Sequence, residues 1–410
     1  RQGQGQRGAG LEKLQGRGYI PGMDTELAET LTRWRRHLHA HPDLTLGEGP
    51  TAAFVVAKLR EIGVTDIAEG VGGHGVVATL SRPGGTGAGG GNRSVGLRAD
   101  MDALPITETT GVEYASTRPG VMHACGHDGH TTALLGAAVL LVRDPDWSGT
   151  VRLVFQPAEE GGGGARAMVD DGLFRRFPMD SIFGWHNWPG LPVGTVAVHD
   201  AAVMAAGNRF EIVVEGHAGH AALPHLARDP IVAAGHVIVA VQSIVARSLD
   251  PMDTGVVSLT TISGGEAWNQ IAATVTIRGS MRFLRPAVGA AIAQRLSDIA
   301  EGVGRTFGVR AHFEIRSGVD ATVNHPEARD LAAAAAGTLA PVRRDVGPAM
   351  TGEDFSRFLQ EVPGAFVWIG NGPAEDGREL HNPRYDFDDR VLPVASDYLA
   401  AVAKRALGGT

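Results

Sequence analysis

From about residue 207 the chain changes its periodicity, and the order of elements that follows restricts the fold more than any other feature. "FEIVVEG" alternates like a half-buried strand, and "DPIVAAGHVIVAVQSIVARS" reads as one long helix. "GVVSLTTISGG" and "AATVTIRGSMRFL" read as a hairpin pair, followed by "VGAAIAQRLSDIAEGVGRTFG", a helix with apolar i, i+4 repeats, and by "RAHFEIRSG", a last strand. Strand, helix, strand, strand, helix, strand is the order of a ferredoxin-like α+β unit. Residues 207–319 are therefore expected to form a separate domain set into another.

The flanks supply that other domain. A first helix is expected near 24–40 with Asp24 and Thr25 as caps, and a second over "TAAFVVAKLREIGV". The strand candidates "HGVVATLS", "SVGLRADM" and "TVRLVFQPA" are separated by a glycine run at 84–91 and an apolar helix at 130–143. Val- and Leu-rich strands alternating with helices indicate an α/β fold with a mixed, mostly parallel sheet. After the insertion, "HPEARDLAAAAAGTLA", "AFVWIGNG" and "VLPVASDYLAAVAKRAL" read as helix, strand and closing helix that complete this sheet. The expected organisation is a tail at 1–23, a first domain in two parts at 24–206 and 320–410, and the insertion between them.

Composition narrows the function classes. With 37 basic and 45 acidic side chains the net charge is −8, which argues against nucleic acid or anionic membrane as a partner. A single cysteine excludes an intramolecular disulfide, so the fold needs no oxidising compartment. The apolar stretches "ALLGAAVLLV" and "IVAAGHVIVAVQSIVA" are too short or too interrupted to span a bilayer. The opening "RQGQGQRGAG" is basic and Gly/Gln-rich with no apolar segment behind it, so it reads as a flexible tail and not as a secretory signal. A cytoplasmic protein is expected, with secretion left open because the chain does not begin with Met.

That one cysteine stands in "HACGHDGH", positions 123–130, among three histidines and an aspartate. Cys125 and His127 flank Gly126 just ahead of a helix, where a thiolate and an imidazole can converge on one ion. "QPAEEGGGG" places Glu159 and Glu160 after an apolar strand; on an extended segment they would point to opposite sides, one toward a metal and one toward water. His186 in "GWHNWPG" and His381 in "LHNPRYDFD" are unremarkable alone. Together these residues offer one thiolate, three imidazoles and one or two carboxylates from strand ends or loops of one domain, a donor set for borderline-soft ions and enough for two. A carboxylate left outside the ligand set points to hydrolysis. In "GLRADMDALP", Asp100 or Asp102 is placed to accept the N–H of a ligand histidine, or to cap a turn.

Seven stretches in order, "LRADMDALP", "MHACGHDGHT", "FQPAEEGGGGARAM", "GWHNWPGLPVG", "GHAALPHLARDP", "TGEDFSRFL" and "LHNPRYDFDD", resemble the co-catalytic metallo-amidohydrolases, in the aminoacylase, hippurate hydrolase and auxin-conjugate hydrolase branch related to carboxypeptidase G. The resemblance runs over nearly the whole chain past the tail. It implies a zinc-exopeptidase-like sheet with the insertion as a lid and dimerisation domain. It also implies two divalent ions, zinc by default with manganese, cobalt or nickel compatible, held by Cys125, His127, Glu160, His186 and His381, with Cys125 bridging. Glu159 would be the general base and Asp102 would orient the centre. His220, reaching across a dimer interface, would hold the substrate carbonyl, and Asn269 would contact the substrate carboxylate. The implied activity is hydrolysis of N-acyl amino acids by a homodimer. Three departures, His217 for lysine in "GHAGHAA", "NQIA" for "NVIP" and "TGEDF" for "GSEDF", fall in the substrate-contacting shell and leave the ligand positions untouched.

Two other readings remain at this point. A dipeptidase or carboxypeptidase would use the same chemistry on the same scaffold, and a metal-binding protein without turnover would have no need of Glu159. Serine hydrolase chemistry is disfavoured by the absence of G-x-S-x-G, and a phosphate-binding loop by the absence of G-K-[ST] after the glycine runs.

Overall fold

A computed structural model describes residues 23–83 and 93–408. The expected glycine run and nearly all of the expected tail lie outside the described residues. Met23, the last residue assigned to that tail, is instead buried in the core. The chain divides into two compact units, one made of residues up to Ala201 with Asn324–Val346 and Arg357 onward, the other of Ala202–Val323 and Gly347–Ser356.

In the first unit, helix α1 (Thr25–Ala40) starts where the Asp24 carboxylate accepts the Leu27 N–H at 2.7 Å, and α2 (Gly49–Ile62) follows with Pro50 in its first turn. Strands β1 (Asp66–Val71), β2 (Gly75–Arg82), β3 (Ser94–Asp100), β4 (Gly149–Gln156) and β5 (Ser181–Trp188) align in the order β1-β2-β4-β3-β5. The strand Gly364–Gly370, from beyond the insertion, joins β5, and two short segments, Val196–Ala197 and Val342–Arg343, finish the sheet. Strand β3 runs parallel to both β4 and β5, and the strand Gly364–Gly370 runs parallel to β5, whereas β2 is antiparallel to both β1 and β4. Every residue of Gly364–Gly370 is buried, as a strand covered on both faces requires.

Helix α3 (His127–Arg143) crosses from β3 to β4, and all but three of its residues are buried. It packs between α1 and the closing helix Val391–Ala406. Gly136 permits that approach: a Cβ there would stand 2.8 Å from Leu31 Cδ1 and closer still to Ser396 Oγ. The carboxyl ends of β3, β4 and β5 and the amino end of α3 share one edge of the sheet, where open α/β sheets place their ligands.

The second unit holds an antiparallel sheet in the order Gly255–Ser263, Thr274–Phe283, Ala206–Glu215, Arg310–Val319, with helices Pro230–Val241 and Pro286–Phe307. In chain order those strands are second, third, first and fourth, which is ferredoxin-like topology. Thr274–Phe283 alternates buried with more exposed positions, and the buried set includes Val275, Ile277 and Met281.

Two expected helices have different bounds. The long helix over 229–248 stops at Val241, and Ile244–Ser248 is wound more loosely with i→i+5 spacing. There Ser243 Oγ donates to the Ala240 carbonyl at 2.7 Å, competing with the helical ladder. Helix α3 begins at His127 and not near 130, because left-handed Gly126 forms its start. Strand β1 was not expected from its polar "DIAEGV", which suits a sheet edge. Among the described residues, no helix is long and apolar enough to cross a membrane.

Candidate metal centre

Cys125 and His127 are delivered by a single sharp bend. Gly126 has φ +91°, a conformation disfavoured for residues bearing a Cβ. A Cβ there would also stand 2.6 Å from Tyr385 Oη and collide with the Asn187 amide. Asn187 occupies that space because its Nδ2 donates to the Cys125 carbonyl at 2.6 Å while its Oδ1 accepts from Tyr385 Oη at 2.6 Å. The bend, the end of β5 and the segment after His381 are thus pinned to one another.

Cys125 Sγ lies 3.4 Å from His186 Nε2. The other nitrogen of His186, Nδ1, donates to the Asn187 carbonyl at 2.6 Å, which turns Nε2 toward the thiol. His127 is oriented in the same way: Nδ1 donates to the Asp102 main-chain carbonyl at 2.9 Å, leaving the buried Nε2 without a hydrogen-bond partner. His381, held by its N–H on the Ala124 carbonyl at 2.8 Å and by a φ of +65°, brings Nε2 to 3.2 Å from Glu160 Oε1. The donor atoms of Cys125, His127 and His186 lie within 4.8 Å of one another, as do those of Cys125, Glu160 and His381, and those of His127, Glu159 and Glu160. Cys125 therefore belongs to two triads.

The glutamates do not sit on an extended segment as expected. After β4, Ala158 takes φ +54° and residues 159–160 turn, so both carboxylates face the same group of donors. The turn closes on Asp102, whose Oδ1 accepts the Glu159 N–H at 3.1 Å and whose Oδ2 accepts the Glu160 N–H at 3.0 Å and the Thr45 hydroxyl at 2.7 Å. Asp102 touches His127 chiefly through its main-chain carbonyl, with Oδ1 farther off at 3.4 Å.

The third histidine of "HACGHDGH" is committed elsewhere. His130 Nδ1 donates to Asp100 Oδ1 at 2.6 Å, and His130 Nε2 accepts the Asn187 N–H at 3.0 Å. Asp100 is held in turn by Arg98 at 2.8 Å, and Arg98 also donates to Gln156 at 2.8 Å. Arg98, Gln156, Asn187 and Tyr385 were not singled out from the sequence. Arg98 in "LRADMD" and Asn187 in "WHNW" adjoin residues that were, and a charged or amide side chain inside an apolar strand is the signal that would have found them. His123 is fully buried, and burial holds its pKa down to about 4, so it is neutral.

The electrostatics are those of an anionic cage. Burial, then Glu160, Glu159 and Asp100, raise the Cys125 thiol well above its ordinary value. Burial alone would lower His127, yet Asp100, Asp102 and Glu160 together bring it up to about 10. Burial, reinforced by His130, keeps His186 neutral. Without an ion, then, the cage retains protons on Cys125 and His127. The buried His127 Nε2, which makes no hydrogen bond, and the Glu160 carboxylate, beside a sulfur and two further imidazoles, fit borderline divalent cations.

His220 and Asn269 lie in the second unit. They are neighbours on a two-stranded ribbon in which His220 pairs with Gln270 and the Ala221 N–H donates to the Asn269 carbonyl at 2.9 Å. Both are exposed.

The sequence profile of peptidase family M20/M25/M40 matches residues 96–405. An N-acetyl-L-cysteine deacetylase of Bacillus subtilis (strain 168) is 39% identical over 382 residues, which cover 93% of this chain and 89% of that protein. A hippurate hydrolase of Campylobacter jejuni is 38% identical over 376 residues, covering 91% of this chain and 95% of that one. The crystal structure of Bacillus subtilis YXEP protein, described as a dinuclear metal binding peptidase from the M20 family, superposes with a TM-score of 0.82 at 34% identity, covering 94% of this chain and all of that one.

Proposed function

Since the chain belongs to peptidase family M20/M25/M40, we propose that it is a metal-dependent amidohydrolase that splits N-acyl amino acids into a carboxylic acid and a free amino acid. One observation carries this reading: the Cys125 sulfur is common to two donor triads while a single carboxylate, Asp102, holds the main chain of both Glu159 and Glu160.

Cys125, His127, Glu160, His186 and His381 are the proposed holders of two divalent ions, zinc by preference because of the thiolate, with manganese, cobalt or nickel acceptable to the same donors. When bound, such ions polarise a carbonyl and acidify a water. Glu159 accepts the proton of the water that attacks the acyl carbon, and it delivers that proton to the departing amine nitrogen as the C–N bond breaks. Asp102 keeps Glu159 in position through its N–H. His220 is the proposed donor to the oxygen that becomes anionic, a contribution of roughly 3–4 kcal/mol. Asn269, beside it on the ribbon, is the proposed contact for the substrate carboxylate.

The proposed assembly is a homodimer formed through the second unit. In support, that unit exposes the apolar side chains of Val239 (73%), Met252 (90%), Ile231, Val232, Ile262 and Trp268, surface that a second copy would cover.

The deciding experiment is Glu159→Gln, reloaded with zinc and assayed on N-acetyl and N-benzoyl amino acids beside dipeptides. The expected result is full metal content with turnover lowered about 10²–10⁴-fold. Near-normal turnover would overturn the role of Glu159, and dipeptides outpacing every N-acyl substrate would make the protein a dipeptidase instead.

A further inference from the structure

Glu48 immediately precedes helix α2, at the position from which an acidic side chain ordinarily accepts the first N–H groups of its own helix. It makes no such bond. Its side chain is fully buried, and Oε1 accepts two main-chain N–H groups: that of Leu46 at 2.9 Å and that of Ala158, 110 residues away, also at 2.9 Å. Both donors are residues with a Cβ in the left-handed region, Leu46 at φ +67° and Ala158 at φ +54°. Such backbone persists only where its surroundings over-determine it.

Ala158 is the residue before Glu159. On its other side the Ala158 carbonyl accepts the Gly164 N–H at 3.0 Å, closing the glycine-rich loop. The three successive peptides around Glu159 are therefore fixed by two carboxylates, Glu48 on the N–H of residue 158 and Asp102 on the N–H groups of residues 159 and 160. Thr45 ties the two together, since its hydroxyl donates to Asp102 three residues before Glu48.

We propose that Glu48 is a positioning residue for the proton-transfer step, setting the direction of Glu159 through the backbone of Ala158. It lies outside the proposed ligand set, and the bonds of its Oε1 are to main-chain N–H groups. What the position requires is reach more than charge: an acceptor oxygen at the length of a glutamate side chain. This inference rests on Glu159 as the proton acceptor.

The test compares Glu48→Gln, which keeps the reach and removes the charge, with Glu48→Asp, which keeps the charge and withdraws the oxygen by one methylene. With zinc-reloaded protein and an N-acyl amino acid, E48D is expected to lower kcat about 10- to 100-fold. KM and zinc content should stay within about twofold of the parent, the mark of an effect confined to the transition state. E48Q is expected to retain most of kcat. Adding Ala158→Gly, which adopts the left-handed backbone without strain, should restore much of what E48D loses, and it supplies the comparison should E48D alone fail to fold. Equal losses in E48Q and E48D, a loss of zinc or a rise in KM that tracks kcat, or no recovery on A158G would overturn the inference. E159Q assayed in parallel separates the two readings: an active E159Q removes the base assignment and this inference with it, whereas an inert E159Q beside an unaffected E48D removes this inference alone.

Discussion

A glycine stands between Cys125 and His127 because nothing larger fits. Gly126→Ala would meet an unfavourable φ and two side chains, Asn187 and Tyr385, that are themselves hydrogen-bonded to their surroundings. The left-handed backbone alone costs about 1–2 kcal/mol and the collision adds to it. G126A is expected to melt several degrees lower and to bind less than two equivalents of zinc, measured by calorimetry and elemental analysis. Retention of both at parental levels would contradict the geometry of the bend. Asp102→Asn probes the neighbouring constraint. An amide can accept at only one of the two atoms that now receive the Glu159 and Glu160 N–H groups, so one of these faces an NH₂. Turnover in D102N should fall by about 10-fold or more, with the fold retained by circular dichroism.

At the scale of elements, α1 and α3 are latched by a buried ionic contact. His39, fully buried on α1, donates to Asp128 in the first turn of α3 at 2.8 Å and lies 3.3 Å from Glu108. Burial by itself would lower the His39 pKa, but Asp128 and Glu108 together raise it to about 9. A folded-state pKa above the unfolded one stabilises fully below the unfolded value, near 6.5, and that stabilisation fades as pH rises through 9. Arg35, also fully buried, adds ion pairs to Asp128 at 3.6 Å, Asp386 at 3.3 Å and Asp389 at 2.7 Å. His39→Gln should therefore lower stability by a few kcal/mol at about pH 6, and the gap between variant and parent should narrow steadily toward about pH 10 in denaturant titrations. A gap independent of pH would mean that packing, not the proton, holds the latch.

This network also marks how far sequence alone reaches. Cys125, His127 and the paired glutamates stand out by residue type and spacing, whereas His186 and His381 are unremarkable alone and gain meaning only beside them. Arg35, His39 and Asp128 look like ordinary amphipathic-helix residues until the helices are in place, and no local spacing shows that positions 35 and 389 meet. The turn at Ala158 was hidden for a related reason: alternation predicts extended chain after a strand, whereas the carboxylates that hold this turn, Glu48 on the N–H of residue 158 and Asp102 on the next two, come from distant positions.

For the whole molecule, the βαββαβ order of 207–319 was legible because each element carries its own period, and the resulting sheet has the topology that this order implies. The polar edge strand β1 and the two-residue segments Val196–Ala197 and Val342–Arg343 were not, since a polar strand lacks an apolar alternation and two residues carry no period of their own. The apolar surface of the second unit bears the prediction about assembly. Val239→Asp is expected to shift the protein from dimer to monomer in sedimentation velocity while leaving zinc content intact. Turnover should fall with it, since the oxyanion donor is proposed to come from the partner copy. A parent that sediments as a monomer, or a monomeric V239D with full turnover, would remove the dimer from the mechanism.

The strand Gly364–Gly370 is laid against β5 only after the whole second unit has been spelled out, and His381 arrives later still. On the ribosome, Cys125, His127 and His186 wait through almost two hundred further residues before the last proposed ligand emerges. A nascent chain halted anywhere in that interval carries a buried-to-be thiol and two imidazoles without their last partner, and the proposed donor set is complete only once His381 has been added.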